Sequence, residues 1–333
     1  GASEFLGIQT LTVSIYTTWV SRSNLAGAAQ IAIFMLLIVT FIIYIERISR
    51  QRRRYSNTQR LRPIQPQKLQ GKAALIAIIL GWIPVLIGFI FPALYLIVET
   101  VVRLEQVGTI SSGLMHSTFN TLILAACATA VTVMIGLLIA WVIRNPHFYQ
   151  GKFMVRLSSL GYAIPGSVLA IGLLTPFNLL DDAISKLMHV LTGAPPQLYI
   201  MGSMAGLVIA YCIRFLAITI GSFESAYARI PISLDNASRS LGQTEEQTFR
   251  KIHLPLLRPA LGAAALLVFV DAMKELSATL LLRPLSFETL ATWLYAEAAR
   301  GTYEEGAIAA LLIVIVGLLP VILLARTQSN KEH

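Results

Sequence analysis

Long apolar runs, separated by short polar stretches, fill most of this 333-residue chain. Windows near 26–45, 74–98, 118–142, 154–177, 201–222, 260–283 and 305–325 each carry few or no charges. Each holds about 18 to 25 residues, enough to cross a hydrocarbon core of roughly 30 Å as an α-helix. The pattern predicts an all-α, polytopic membrane helix bundle with about seven spans, each boundary set to within about four residues.

Composition agrees with the pattern. Apolar residues make up 56% of the chain and charged residues 13%, where a soluble domain carries about a quarter charged. Cys127 and Cys212 both fall in apolar runs and read as packing residues, with no disulfide between them. Charge then orients the chain. Of the 26 Lys and Arg, 19 lie on one alternate set of loops, five on the opposite set, and Arg214 and Lys274 lie inside spans. The richer side is cytoplasmic. The net charge of +9 is therefore a topology signal, and nucleic-acid binding is a poor alternative. This topology puts Gly1 outside with no leader before it, so the chain is expected to be a piece of a longer one. The stretch "RQRRRYSNTQRLRPIQPQK" supports that expectation, being basic and carrying Pro63 and Pro66 as an interdomain linker does. Residues 1–45 then read as the last span of a first half, 46–72 as a cytoplasmic linker, and 73–333 as a second half with six spans. The alternative for 46–72 is an ordinary loop against anionic lipid.

One polar stretch on the cytoplasmic side, within 223–258, is unusual: "NASRSLGQTEEQTFRKIHLPLLRP", Asn236 to Pro259. Leu234, Ala237 and Leu241 form a narrow apolar stripe on a short helix, with Asp235, Ser238 and Arg239 facing away from it. Gly242 suits a left-handed stop. Thr244 and Gln247 are spaced as a capping box for a second helix. Glu245 and Glu246 favour its start, Arg250 and Lys251 its end. Pro255 is expected to end that helix, and Pro259 to open the next span.

Ala237, Gly242, Ile252, Leu254 and Pro255 together resemble the cytoplasmic "EAA" loop of importer-type ABC transporter permeases. The motif's first positions read Asn236-Ala237-Ser238 here in place of Glu-Ala-Ala, with Asp235 beside them as the available acid. "AIPGSVLAIGLL" (Ala163 to Leu174) and "DAMKELSATLLLRP" (Asp271 to Pro284) look like the second half of fused permeases of the ferric-iron importer type. Fused permeases for thiamine and aminoethylphosphonate are similar. The resemblance implies that the short helix before Gly242 docks on a separate ABC ATPase subunit, with two such subunits per transporter. It also implies a periplasmic or lipoprotein substrate-binding protein, a first permease half and a bacterial plasma membrane. ATP would bind the partner, leaving this chain with no cofactor.

Inside the membrane, Asp271, Lys274 and Glu275 stand at i, i+3 and i+4, which predicts one shared helix face. Ionisable groups at that depth face protein or a wet cavity. They read either as pathway or gate residues, or as an ion-paired cluster that locks packing, with Arg214 as a candidate partner. Gly161, Pro165 and Gly166 are expected to bend the fourth span. No G-x-x-x-x-G-K-[ST] occurs. His116, His147, His189, His253 and His333 show no metal-ligand spacing and read as solvated loop residues. No nucleophile–base arrangement suggests a membrane enzyme. A secondary transporter or channel is the rival class, and it has no need of the Gly242 loop.

Overall fold

The structure, a computed structural model, describes residues 7–51, 69–144, 158, 161–193 and 195–329. The expected linker core from 52 to 68, and His147 and His333, lie outside those residues. Among the described residues the chain is helical, with no strand.

Helix α1 (Leu11–Tyr16) starts at Thr10, whose hydroxyl accepts from the Val13 amide, and a π-turn, Thr17–Ser21, closes it. Helix α2 (Leu25–Gln51) follows. Helix α3 (Gly71–Val85) passes through a second π-turn (Leu86–Ile90) into α4 (Phe91–Val107). Pro92 cannot donate to the helical ladder, and the wider turn before it takes up the offset. Next come α5 (Ser112–Arg144), α6 (Gly166–Thr192) and α7 (Met204–Tyr227). Helix α8 (Ile232–Ser240) and α9 (Glu245–Thr248) form the polar loop, and a π-turn, Phe249–His253, leads into α10 (Leu254–Met273). The chain ends with α11 (Ser277–Leu282), α12 (Leu290–Arg300) and α13 (Tyr303–Ser329).

Among the described residues six helical segments are long and apolar enough to cross a membrane: 25–46, 71–107, 112–144, 166–192, 204–227 and 245–273. The seventh predicted span, 305–325, lies within α13. Two predicted spans need correction. The fourth was placed at 154–177, but the helix runs from Gly166 to Thr192. Pro165 lacks an amide hydrogen and drives Ile164 out of helical geometry, so the helix restarts after it. The sixth was placed at 260–283, but α10 stops at Met273 and α11 starts only at Ser277. Pro255 does not end a helix either. It sits in the first turn of α10, where its missing N–H would have had no partner.

Helices α5, α7 and α10 make the centre of the bundle. Leu124, Ala125 and Ala128 of α5 meet Leu207, Ala210, Tyr211 and Phe215 of α7 and Val268, Ala272 and Met273 of α10. Small residues let these backbones approach, as membrane interfaces require. A Cβ on Gly136 of α5 would stand 2.2 Å from the Thr219 hydroxyl of α7. Towards the polar loop the same three helices share Val133, Ala140, Phe223, Tyr227, Leu257 and Ala264. Ile15 of α1 and Ala28 and Ala32 of α2 pack on Val168 of α6. By contrast α3 and α4 bury no residue, and most of what they present outward is apolar. Cys212 is buried and Cys127 exposed, both free; Cys127 points out of the bundle instead of packing within it.

Candidate functional site

The polar loop is held against the bundle by its acidic residue. Asp235, on the inner side of α8, accepts from Arg144 at the end of α5: Nε and Nη2 lie 3.0 and 2.9 Å from Oδ2. Arg144 also donates to the carbonyls of Tyr227 and Ile230, each at 2.9 Å, which fixes the exit of α7. The other carboxylate oxygen, Oδ1, lies 2.6 Å from Nε2 of His253. Burial pushes the Asp235 carboxyl up, but the hydrogen bonds from His253 and Arg144 and the Arg144 charge outweigh it. They hold the group below the usual carboxylate range. A second tie joins the two helices of the loop, where the buried hydroxyls of Ser238 and Thr248 lie 2.7 Å apart.

The turn between them takes the expected form. Gly242 has φ +76°, its amide donates to Arg239 O at 3.0 Å, and Gln243 N donates to Ser238 O at 3.1 Å. That is a Schellman stop, and only glycine enters it without strain. Thr244 and Gln247 complete the capping box in both directions. Because polar Asp235 and Ser238 face the bundle, the apolar side of α8 is left outside. Ile232 is 66%, Leu234 38% and Leu241 79% exposed, and Asn236 and Ala237 are exposed with them. A hollow of about 170 Å³ opens beside this face, lined among others by Trp141, Asp235, Asn236 and Arg239. Ile252 and Leu254 are half-buried and Pro255 exposed, on the rise from the π-turn into α10.

Sequence reasoning missed two of these residues. Arg144 counted only as a topology charge, and His253 was read as solvated, yet it is buried against Asp235 and the Tyr227 ring. Its 18-residue separation from Asp235 gives no periodic signal; the π-turn brings it inward.

The intramembrane charges do not share one helical face. Asp271 and Lys274 close the end of α10 as an ion pair at 2.8 Å, with Lys274 62% exposed. The Tyr162 hydroxyl reaches Asp271 Oδ2 at 3.5 Å. Glu275 lies beyond the helix end and turns the other way, where it is buried. Its Oε2 stands 3.0 Å from Nε of Arg214, an ion pair without hydrogen-bond alignment at that nitrogen. The cause is the break after Met273: once the helix stops, the i, i+4 relation no longer puts two side chains on one side. Arg214 also donates from Nη1 to Ile164 O at 2.9 Å, the carbonyl just before Pro165.

One further acid escaped notice. Asp181 of α6 is buried and accepts three backbone amides, from Tyr199, Ile200 and Met201, at 2.7 to 2.8 Å. It clips the 195–203 connection onto α6. Among the described residues no group of three or more His, Cys, Asp or Glu is placed to hold a metal ion.

Comparison with known proteins fits this arrangement. Residues 132–331 match the family of binding-protein-dependent transport system inner membrane components. The chain is 27% identical over 98% of its length to the Fe(3+)-transport system permease protein FbpB 2 of Haemophilus influenzae, and spans 62% of that relative. It is 24% identical over 79% of its length to a protein of Salmonella choleraesuis named as a 2-aminoethylphosphonate transport system permease, PhnV, covering 97% of it. In fold it is similar to a chain of a bacterial ABC transporter that imports alginate, with TM-score 0.58 and 17% identity over 77% of this chain and 95% of that one. The family match takes in the polar loop, both helix breaks and the core residues of α7 and α10, and the chain belongs to the binding-protein-dependent transport system inner membrane components, the multi-pass permeases of bacterial ABC importers.

Proposed function

We propose that this chain forms the translocation pathway of an ATP-driven importer and is moved by a separate ATPase subunit seated on α8. Two such subunits serve the transporter, one on this loop and one on the like loop of a preceding permease half. ATP binds those partners, and a substrate-binding protein delivers the cargo from outside. The observation that carries the reading is the inverted amphipathy of α8. Asp235 and Ser238 are turned inward and anchored, while Ile232, Leu234 and Leu241 are presented outward. A surface helix with no partner would have the reverse arrangement.

Ferric iron is the cargo this reading favours. The relative named for Fe(3+) transport aligns with 98% of the chain, the one named for aminoethylphosphonate with 79% at lower identity. The test uses the complete natural polypeptide, affinity-purified from its own membrane and reconstituted with the proteins that accompany it. A nucleotide-binding subunit should co-purify, and ATP should drive uptake of radioactive ferric iron. Uptake of aminoethylphosphonate in its place moves the cargo assignment. Transport with no ATPase present overturns the whole reading.

A further inference from the structure

The chain contains a repeat, and its two copies touch. Thr10, Leu11, Tyr16, Gly27 and Ala28 recur as Thr289, Leu290, Tyr295, Gly306 and Ala307, every pair at one constant separation, with Ile15 matched by Leu294. The local structure repeats with the letters. Thr10 caps α1 by accepting from the amide three residues on, and Thr289 caps α12 in the same way. Each short helix leads into a long one of 27 residues, α2 or α13, and Ala28 and Ala307 are both buried there. With two permease halves these are the closing segments of each. The charge count sends the first and seventh spans across in the same direction, as parallel repeats about an axis along the membrane normal require. Tyr16 and Tyr295 hold the same place in the two copies, and their rings meet edge to face, centroids 6.0 Å apart and planes at 81°. Surfaces related by a two-fold axis are self-complementary, so a residue that touches its own counterpart lies on that axis. The tyrosine pair marks the line along which the halves face each other.

A hollow of about 30 Å³ opens beside the pair. Thr12 and Tyr16 of α1, Ser167 of α6, Ser277 and leucines at the start of α11, and Tyr295 of α12 line it. That volume admits a water-sized group. Ser167 is 3% exposed, and its hydroxyl oxygen has no hydrogen-bond partner. A buried hydroxyl left unpaired costs free energy, so the hollow calls for a polar occupant. Its polar side chains are all hydroxyls, and among the described residues no charged side chain lines it. A phosphonate leaving water needs fixed cations such as Arg or Lys, which this wall does not offer. Oxygen donors suit a hard metal ion. We propose that Tyr16, Tyr295 and Ser167 form a cargo subsite on the axis between the halves, where a ferric ion with few waters is held by phenol and alcohol oxygens. Each phenol that ligates the ion passes its proton to water, so an O–H bond gives way to an Fe–O bond and one H⁺ leaves per tyrosine.

The subsite rests on the proposed two-half importer of ferric iron, and its test keeps the two apart. The complete natural polypeptide, in lipid nanodiscs with its ATPase and without nucleotide, is titrated with ferric citrate. Visible absorption reports the phenolate-to-iron charge-transfer band. The native chain should show the band, and its binding should strengthen as pH rises because protons are released. Tyr16→Phe and Tyr295→Phe keep the rings and remove the oxygens. Each should weaken binding about tenfold or more and cut ATP-driven iron uptake by a like factor, with the ATPase still bound, and the double variant should show no band. A double variant that titrates and imports as the native chain does overturns the subsite. So does a native transporter that imports ferric iron with no band, which leaves the importer reading intact. Should a tyrosine variant fail to reach the membrane, Ser167→Ala decides in its place: a titration weakened about threefold or more supports the subsite, and an unchanged one overturns it. A native chain that shows the band yet has no ATP-driven uptake strikes the importer reading and leaves the subsite standing.

Discussion

Arg144 and Asp235 stand 91 residues apart in the chain, yet two guanidinium nitrogens of the one lie within 3.0 Å of a single carboxylate oxygen of the other. This pair ties the end of a membrane helix to a helix outside the membrane. It decides which face of α8 is left exposed. The pair is only 17% and 13% exposed on its side chains, so solvent screens it less than a surface ion pair.

Removing either partner should therefore free the docking helix without unfolding the bundle. Arg144→Met and Asp235→Ala are each expected to weaken ATPase association about tenfold or more, since hydrogen bonds to charged groups are worth about 1.5–3 kcal/mol. The double variant should cost less than the sum of the two single ones, because the contact between the two residues is lost in each. Pull-down of the ATPase by each variant, at matched membrane levels, measures this. Additive losses would show that the two residues act separately.

Gly242→Val tests the turn. Nothing lies within 4 Å of a Cβ placed there, so the substitution meets no obstacle, and its cost comes from φ +76° alone. That cost is about 1 kcal/mol or more, larger for a β-branched residue than for alanine. The variant should insert normally and lose ATP-driven uptake, with Gly242→Asn retaining more of it. Equal uptake by the valine and asparagine variants would remove the left-handed turn from the account.

The loop should also respond to acid in a fixed direction. Asp235 has a folded pKa below its ordinary value of about 3.9. A depressed carboxylate contributes stability that is fully present above the unfolded pKa and is lost as pH falls through the folded one. Amide protection over 232–248 (the exchange rate by mass spectrometry in lipid nanodiscs, divided into the intrinsic rate at each pH) should be flat from neutral pH to about pH 4 and fall below it. Asp235→Asn should exchange fast even at neutral pH. A loosening already complete at pH 5 would point to another group.

Asp181→Asn keeps the shape of a buried carboxylate but turns one acceptor oxygen into a donor. Three amides converge on that group, and at least one would face an N–H in the variant. The expected loss is about 1–3 kcal/mol, the cost of a buried polar group left unsatisfied. Faster proteolysis between 195 and 203 should accompany a lower melting temperature in detergent. A variant as stable as the native chain would mean that the connection holds its shape through backbone bonds alone.

Much of this protein was legible along the chain because lipid imposes a local rule. A segment in hydrocarbon must satisfy its own backbone, so length and apolarity alone locate a helix, and the cytoplasmic side follows from counting cations. The turn at Gly242 was legible for a like reason. Gly242 and the box of Thr244 and Gln247 are satisfied by backbone within a few residues, so type and spacing carry the signal. Tertiary structure decided what local rules leave open. Arg144, His253 and Asp235 come from three separate elements, and a pairing between distant residues leaves no periodic trace in one sequence. The triplet Asp271, Lys274 and Glu275 obeyed helical spacing and still divided, because the helix ends between its members. A half-buried Arg214 beside the break gives the buried Glu275 a partner on the far side, and burying a charge unpaired costs more than stopping a helix.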